Sequence, residues 1–221
     1  MLLAALESIL LLGITAACLF ASAGTLHWQA AWFVLCLNAT VIVAGFLILD
    51  PELIRQRAGA EHDFKAWDAP LSSAMFVFLM LVPLVIAGLD CMRWHWSEPL
   101  PAVLQVLGAT LFMAGNAFGL WAARVNRFLV KFVRIQRERG HHVVSDGPYA
   151  YVRHPAYAGG IVGYAGIPLI LASRWALLPF AVGALLLAVR TYLEDSTLQA
   201  ELDGYRDYCQ KVRWRLVPGV W

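Results

Sequence analysis

Six apolar stretches dominate the sequence and limit what the chain can fold into. They cover residues 2–23, 28–49, 69–89, 99–123, 156–173 and 175–193. A bilayer core of about 30 Å needs roughly 20 helical residues, so the first four are long enough to span it. The last two are shorter, and the two residues between them, Ser173 and Arg174, predict a tight helical hairpin. Because backbone groups in lipid must be bonded internally, we expect an all-α polytopic membrane protein. It would have about six transmembrane segments, or five if the hairpin is one re-entrant unit, followed by cytosolic C-terminal helices.

The composition agrees with a chain dissolved in lipid. Of the 221 residues, 60% are hydrophobic and 14% are charged, and the mean hydropathy is +0.64. Soluble domains are about 25% charged. These values exclude a disordered chain, a coiled coil and an ordinary cytosolic enzyme. The net charge of +2 is too small for a protein that binds nucleic acid.

The basic residues predict the topology. Fifteen of the 17 Lys and Arg residues lie in 50–68, in 124–155 and in the C-terminal tail from Arg190, which are alternate loops. Arg93 and Arg174 are the exceptions. The positive-inside rule therefore places both termini and the 124–155 loop in the cytoplasm.

Two connecting segments differ in character. In 124–140, basic residues recur at intervals of three and four, and apolar residues occupy another face. This spacing predicts an amphipathic helix along the inner leaflet or a basic extension of the fourth span. The segment 50–68 is polar and mixed in charge, and we interpret it only as a cytoplasmic connector.

Polar side chains gather in two places on the expected cytoplasmic face. One runs from His141 to Tyr157, and the other begins with Arg190, Glu194 and Asp195. A chain that enters the membrane near residue 156 and leaves near 190 returns to the same face, so we expect His154 and Glu194 to be neighbours. Structural interpretations stay open. Arg190 and Glu194 have the spacing of a helix-end ion pair, and the tyrosines have the character of an interfacial belt.

These residues resemble a known family. Residues 147–159, GPYAYVRHPAYAG, look like the GxYxxxRHPxYxG motif of the isoprenylcysteine carboxyl methyltransferase family, which is related to phospholipid methyltransferases. The C-terminal motif of that family is similar to the run of Arg190, Glu194, Asp195, Leu198, Gly204, Tyr205, Tyr208 and Val212. The resemblance covers roughly residues 124–218, and Asp195 stands where the family has a second Glu.

The resemblance implies an integral membrane enzyme that transfers a methyl group from S-adenosylmethionine, leaving S-adenosylhomocysteine. The acceptor would be lipophilic: an isoprenylcysteine-type carboxylate, or a related lipid amine or thiol. Carried onto this chain, the cofactor contacts are Gln136, His141, His142, Val143, Val144, Tyr149, His154, Pro155, Ala156, Tyr157 and Glu194. Arg190 would bind the acceptor and, with Glu194, act in catalysis.

The expected organisation is a single membrane domain, 1–221. Residues 1–123 would form four transmembrane helices, and residues 124–221 would form the cofactor-binding catalytic region. We expect a protein of the bacterial inner membrane with no metal and no nucleic-acid partner. The acceptor and the oligomeric state are not identified by the sequence.

Two other functions compete with this one. Membrane reductases of the sterol and steroid type share an RHP-containing C-terminal region and use NADPH, but their motif usually has Asn and an acid at the positions of Ala156 and Gly160. A transporter or structural protein would need a polar path across the bilayer, and the apolar stretches provide almost none.

Overall fold

The computed structural model describes residues 1–59 and 63–221, and every regular element in these ranges is helical. The helices are α1 (Leu2–Ala23), α2 (Gln29–Ile48), α3 (Pro51–Ala58), α4 (Asp68–Trp94), α5 (Ala102–Val125), α6 (Pro155–Ile170), α7 (Leu177–Glu201) and α8 (Tyr205–Lys211). Short 3₁₀ turns occur at Arg137–Arg139 and Gly147–Ala150. The expected all-α fold class is confirmed.

Five of these helices, α1, α2, α4, α5 and α7, are long and apolar enough to cross a membrane. Helix α6 has 16 residues and is about 24 Å long at 1.5 Å per residue, which is shorter than a bilayer core. The six expected spans are therefore five full-length helices and one short one. Most of the last apolar stretch, 175–193, lies within α7, which has 25 residues and continues to Glu201. Strong helix formers such as Glu194 and Gln199 extend the helix beyond its apolar part.

Helix α4 contains two wider, π-helical turns, Val77–Leu81 and Leu89–Trp94. The first of them is followed by Pro83, which has no N–H to donate along the helix. A π turn absorbs such a missing bond without ending the helix, so α4 stays continuous across the membrane.

Successive membrane-spanning helices run in opposite directions. Two hydrogen bonds identify the helix ends that lie together at one end of the molecule. Arg93, at the end of α4, donates to the carbonyl of Ala21 at the end of α1 over 3.1 Å. Ser173, between α6 and α7, donates to Asp90 of α4 over 2.6 Å. The beginning of α1, α4 and α6 and the end of α2, α5 and α7 therefore share the opposite end of the molecule.

Glycines bring α5 and α6 into close contact. A Cβ atom at Gly115 of α5 would lie 2.3 Å from the nitrogen of Gly163, and one at Gly166 of α6 would lie 2.3 Å from the oxygen of Gly108. Small residues let helix backbones approach in this way, and in lipid such packing replaces the hydrophobic effect as the driving force. Helix α6 therefore packs principally against α5, although the sequence presents it as half of a hairpin with α7.

The amphipathic helix expected over 124–140 was wrong. Helix α5 ends at Val125, and the side chain of Asn126 accepts from the N–H of Phe128 over 2.9 Å. Further on, Val133 accepts from the N–H of Lys65 over 3.0 Å. The backbone of this segment is thus bonded to a distant part of the chain and not to its own next turn. The basic residues of this segment do recur at intervals of three and four, but tertiary hydrogen bonds prevent the helix that this spacing predicts.

The segment 50–68 is more than a connector. Asp50 caps α3 by accepting from the N–H of Glu52 over 2.7 Å, and Pro51 occupies the first helical position. Residues 60–62 of this segment lie outside the described ranges. Asp68, at its end, is fully buried and belongs to the functional site described below.

Candidate active site

A cavity lies where α5 and α7 end and α6 begins. It encloses about 60 Å³, which holds a few water molecules. Nine residues predicted from the sequence line it: His141, His142, Val143, Val144, Tyr149, His154, Ala156, Tyr157 and Glu194. Residues that the sequence analysis did not assign to the site complete the wall: Asn126, Leu129, Arg153, Leu198, Leu202, Tyr205 and Tyr208. His154 and Glu194, 40 positions apart, thus share one cavity.

Two of the predicted cofactor contacts do not line this cavity. Pro155 is the first residue of α6 and is buried beside it. Gln136 is completely buried behind the wall, where its Nε2 donates to the carbonyl of Phe128 over 2.7 Å and its side-chain oxygen accepts from Arg139. Its backbone N–H donates to Nδ1 of His141 over 3.3 Å. Gln136 therefore holds the wall in place.

Asp195 is the centre of a buried ionic network. Arg153 donates to both of its carboxylate oxygens, with Nε 2.8 Å from Oδ1 and Nη2 3.0 Å from Oδ2. His154 Nε2 lies 3.3 Å from Oδ1, and Arg215 donates to Oδ2 over 2.9 Å. The hydroxyl of Tyr205 donates to the same carboxylate over 3.0 Å. Asp195 therefore ties the RHP segment, α7, α8 and the C-terminal residues together.

The C-terminal segment is also held by backbone bonds. The N–H of Arg153 donates to the carbonyl of Trp214, and that of His154 to the carbonyl of Arg215, each over 2.9 Å. Gly204, with φ of 78°, forms the left-handed turn that directs α8 back toward the site. Residues 212–215 therefore lie against the RHP segment as a strap.

Glu194 and Arg190 meet through a tyrosine. The hydroxyl of Tyr157 donates to Glu194 Oε2 over 2.5 Å and accepts from Nη1 of Arg190 over 2.6 Å. This relay replaces the direct helix-end ion pair that their spacing suggested. The Tyr157 ring is also parallel to that of His154, with 5.7 Å between the ring centroids. Tyr157 therefore connects Arg190, Glu194 and His154.

Arg190 does not line the cavity, because Asp68 holds it from behind. Its Nε and Nη2 donate to the two oxygens of Asp68 over 2.7 and 3.0 Å, and Nη2 also donates to the carbonyl of Lys131. Asp68 accepts in addition from the N–H of Val133 over 2.7 Å. The Nε and Nη2 groups of Arg190, which could bind a substrate carboxylate through two hydrogen bonds, therefore already bind the carboxylate of Asp68.

Sequence reasoning missed Asp68, although a signal was present. It is an acid directly before the third apolar stretch, and an ionisable residue at the edge of a span is a functional candidate with a partner to be named. Its partner, Arg190, lies 122 positions away, so no local pattern joins the two.

Burial favours the neutral form of one histidine and three tyrosines of the wall. Burial, together with the nearby His142 and Arg139, lowers the pKa of His141 from 6.5 to about 4. A neutral imidazole agrees with its geometry, because Nδ1 accepts from a backbone N–H. Burial likewise raises the pKa of Tyr149, Tyr205 and Tyr208 above the ordinary value. Their hydroxyls therefore remain donors, as in the 2.6 Å bond from Tyr208 to the carbonyl of Tyr149.

Part of the chain is similar to known proteins. Residues 103–202 match the family described as phospholipid methyltransferase. Protein-S-isoprenylcysteine O-methyltransferase B of Arabidopsis thaliana is 29% identical over 92 residues, which are 41% of this chain and 44% of that protein. The cobalt-zinc-cadmium resistance protein CzcN of Cupriavidus metallidurans is 28% identical over 148 residues, 61% of this chain and 59% of that protein. The chain thus spans about half the length of these curated relatives.

The fold is similar to that of a solved membrane protein. The structure of the eukaryotic intramembrane Ras methyltransferase, isoprenylcysteine carboxyl methyltransferase, aligns with a TM-score of 0.61 at 17% identity. The alignment covers 95% of this chain and 74% of that one. The family resemblance of the motifs is confirmed, and the chain is an integral membrane protein with this fold.

Proposed function

We propose, from the match of residues 103–202 to the phospholipid methyltransferase family, that this protein is an S-adenosylmethionine-dependent methyltransferase with a lipophilic acceptor. One observation carries the proposal: His154, Tyr157 and Glu194 come from two helices to line a single cavity at one end of the membrane fold. The cavity is polar at this edge and apolar at Leu198 and Leu202. Such a lining suits a small amphiphilic cofactor.

The residues present fit the cofactor by their chemistry. Glu194 provides a carboxylate for an ammonium group. The backbone of Val143 and Val144 provides donors and acceptors for a purine or ribose edge. When bound, the cofactor supplies an electrophilic methyl group on a sulfonium. A cavity of about 60 Å³ is too small for a molecule of this size, so binding requires the 141–144 wall to move outward.

The protein's own task in methyl transfer is positioning. In-line displacement requires a placed nucleophile more than a strong acid or base. Asp68 and Arg190 fix the Tyr157 hydroxyl, and Tyr157 fixes the carboxylate of Glu194. A carboxylate or thiolate acceptor needs no proton removed. An amine acceptor does, and Glu194 is the base within reach.

The membrane orientation belongs to the same proposal. The site end carries the connections rich in Lys and Arg, which the positive-inside rule assigns to the cytoplasm. Both chain termini are then cytoplasmic, and the acceptor is modified at the cytoplasmic leaflet. For a bacterial cell this is the inner membrane.

Binding isotherms on the purified protein test the cofactor directly. We expect S-adenosylhomocysteine to bind and NADPH not to bind. Glu194→Gln should weaken the binding at least tenfold, because a charge-assisted bond to the ammonium is lost. Glu201→Gln, on the same helix and paired with Lys65 outside the cavity, is the matched control. Binding of NADPH with none of S-adenosylhomocysteine would instead identify a reductase of the sterol type.

A radiolabelled methyl-transfer screen tests the reaction. Prenylcysteine analogues, phospholipid amines and long-chain thiols should be offered separately in lipid nanodiscs. Transfer to one class, lost in Glu194→Gln and retained in Glu201→Gln, is the expected result. Binding of S-adenosylhomocysteine without transfer to any class would leave the acceptor outside the three chemistries proposed.

A further inference from the structure

Four tyrosines line the active-site cavity, and one of them differs from the other three in its hydrogen bonds. The hydroxyls of Tyr157, Tyr205 and Tyr208 each donate to an oxygen atom of the protein. The Tyr149 hydroxyl instead accepts, from Nδ2 of Asn126 over 3.1 Å. Among the residues that the structure describes, none accepts the proton of this hydroxyl. Tyr149 therefore has a donor that the protein itself does not use.

The orientation of the Asn126 amide is fixed by the backbone. Its Oδ1 accepts from the N–H of Phe128 over 2.9 Å, and a backbone N–H can only donate. The amide nitrogen must therefore face Tyr149. Because an NH₂ group can only donate, the Tyr149 oxygen accepts from it, and the phenol proton points away from Asn126.

The backbone of Tyr149 is held on both sides. Its N–H donates to the carbonyl of Asp146 over 3.1 Å, and its carbonyl accepts from the hydroxyl of Tyr208 over 2.6 Å. The residue is only 6% exposed. A buried hydroxyl proton needs an acceptor, because leaving it unpaired costs free energy. The bonds that fix Tyr149 therefore prepare a donor for a group of a bound ligand.

The surroundings of Tyr149 indicate which ligand group accepts its proton. Burial raises the pKa of Tyr149, and the nearby charge of Glu194 raises it further, so the two side chains lie close together. Glu194 is the proposed partner of the ammonium group of the cofactor, and in an α-amino acid the carboxylate is attached to the same carbon atom. Arg153, the arginine of the cavity lining, already binds Asp195 through two hydrogen bonds. The neutral hydroxyl of Tyr149 therefore suits the carboxylate.

We infer that Asn126 is a positioning residue for the cofactor, because it directs the proton of the Tyr149 hydroxyl to the carboxylate of S-adenosylmethionine. The inference rests on the proposed function. Asn126 is not among the cofactor contacts expected from the sequence, and it acts through Tyr149. The order of donors runs from the N–H of Phe128 to Asn126, from Asn126 to Tyr149, and from Tyr149 to the ligand.

Asn126→Asp reverses this order with almost no change in shape. One carboxylate oxygen still accepts from the N–H of Phe128, and the other accepts the Tyr149 proton, so no donor is left for the ligand. We expect binding of S-adenosylhomocysteine to weaken about tenfold, which is typical of losing a hydrogen bond to a charged group. Binding of its decarboxylated analogue, which keeps the ammonium group and the adenosine, should not weaken. Isothermal titration of the full-length protein in nanodiscs measures both.

A double-mutant cycle separates the effect of the hydroxyl from that of the added charge. Tyr149→Phe alone should weaken the binding of S-adenosylhomocysteine about tenfold. In that background, Asn126→Asp should weaken it by no more than about twofold further, because the proton that it would capture is absent.

Two further variants complete the test. Gln210→Glu makes the same amide-to-acid change on an exposed residue of α8, outside the cavity, and should leave binding unchanged. Asn126→Ala lets the hydroxyl rotate and should give a smaller loss than Asn126→Asp, again only for the ligand with a carboxylate. Thermal unfolding of each variant in detergent shows whether weaker binding reflects unfolding.

Three results would overturn the inference. These are unchanged binding of S-adenosylhomocysteine in Asn126→Asp, equal weakening of this ligand and its decarboxylated analogue, or an equal effect of Asn126→Asp with and without the Tyr149 hydroxyl. The proposed function fails separately. A parent protein that does not bind S-adenosylhomocysteine rejects the proposed function together with the inference, whereas binding by the parent with any of the three results retains the cofactor and rejects only the role of Asn126.

Discussion

At the scale of single residues, two buried Arg–Asp pairs define the site. Arg153 with Asp195 holds the strap, and Arg190 with Asp68 holds the tyrosine relay. Each pair is almost completely buried and each carboxylate accepts further bonds. Breaking a buried pair costs more than the pair contributes, because the remaining charge has lost its partner.

The substitution Asp68→Asn tests the relay. It leaves the Arg190 charge buried beside a neutral amide, so we expect a loss of about 3–5 kcal/mol in the free energy of unfolding. Methyl transfer should fall at least tenfold, because Tyr157 is no longer fixed. Thermal unfolding and initial rates measure the two effects, with the exposed Asp203→Asn as control. Full activity in Asp68→Asn would show that Arg190 does not position Tyr157.

The pH dependence of stability tests His141. Its pKa is 6.5 when exposed and about 4 in the folded protein, so the unfolded chain binds a proton that the native state does not. Its stabilising contribution is complete above pH 6.5 and is lost progressively as the pH falls toward 4. We expect the melting temperature to drop over this window less steeply in His141→Asn than in the parent protein. Parallel curves would contradict a neutral His141.

At the scale of elements, the α5–α6 contact fixes where the RHP segment begins. Helix α6 starts at Pro155, directly after His154, so any displacement of α6 displaces the imidazole. The contact depends on glycine at Gly115 and Gly166, where an added Cβ atom would lie 2.3 Å from a backbone atom of the other helix. This glycine contact holds α6 in place, although α6 is too short to span the membrane.

Replacing two glycines of α5 by alanine, one at a time, distinguishes the effect of close helix packing from that of intrinsic helix propensity. Gly115→Ala places a methyl group 2.3 Å from a backbone nitrogen of α6, and we expect a loss of about 1–3 kcal/mol of stability from overpacking. Gly119→Ala meets nothing within 4 Å and should be neutral or stabilising by up to about 1 kcal/mol. Melting temperatures in detergent compare them. An equal change in both proteins would rule out close packing as the cause.

At the scale of the whole molecule, six passages of the chain return both termini to the site end. The passages alternate, α6 makes one of them despite its length, and the strap brings Trp214 and Arg215 onto the RHP segment. The basic residues collect at this same end, which is the end that we propose faces the cytoplasm.

Reporter fusions test this orientation. Alkaline phosphatase, which folds only outside the cytoplasm, should be inactive when fused after Trp221 and active when inserted after Ser97 between α4 and α5. A fluorescent protein that matures only in the cytoplasm should give the opposite pattern. Activity of the phosphatase at Trp221 would invert the proposed topology.

The sequence by itself determined the elements with a strong local signal. Long apolar runs must be helices because lipid offers no partner to backbone groups, and this fixed α1, α2, α4 and α5 nearly to their ends. The RHP and Glu-Asp motifs likewise named most of the residues that line the cavity. Local spacing failed where bonds are long-range. It predicted a helix over 124–140, where Val133 pairs instead with Lys65 and Asp68.

Only the tertiary structure decided how the charges pair and where the spaces lie. The partner of Arg190 is Asp68, the carboxylate that binds His154 is Asp195, and the cavity that Tyr157 and Glu194 line exists only once α5, α6 and α7 have packed. A buried charge takes whichever opposite charge the fold brings within bonding distance, and sequence separation carries no information about that distance. The helices follow from hydropathy, whereas the active site follows from their packing.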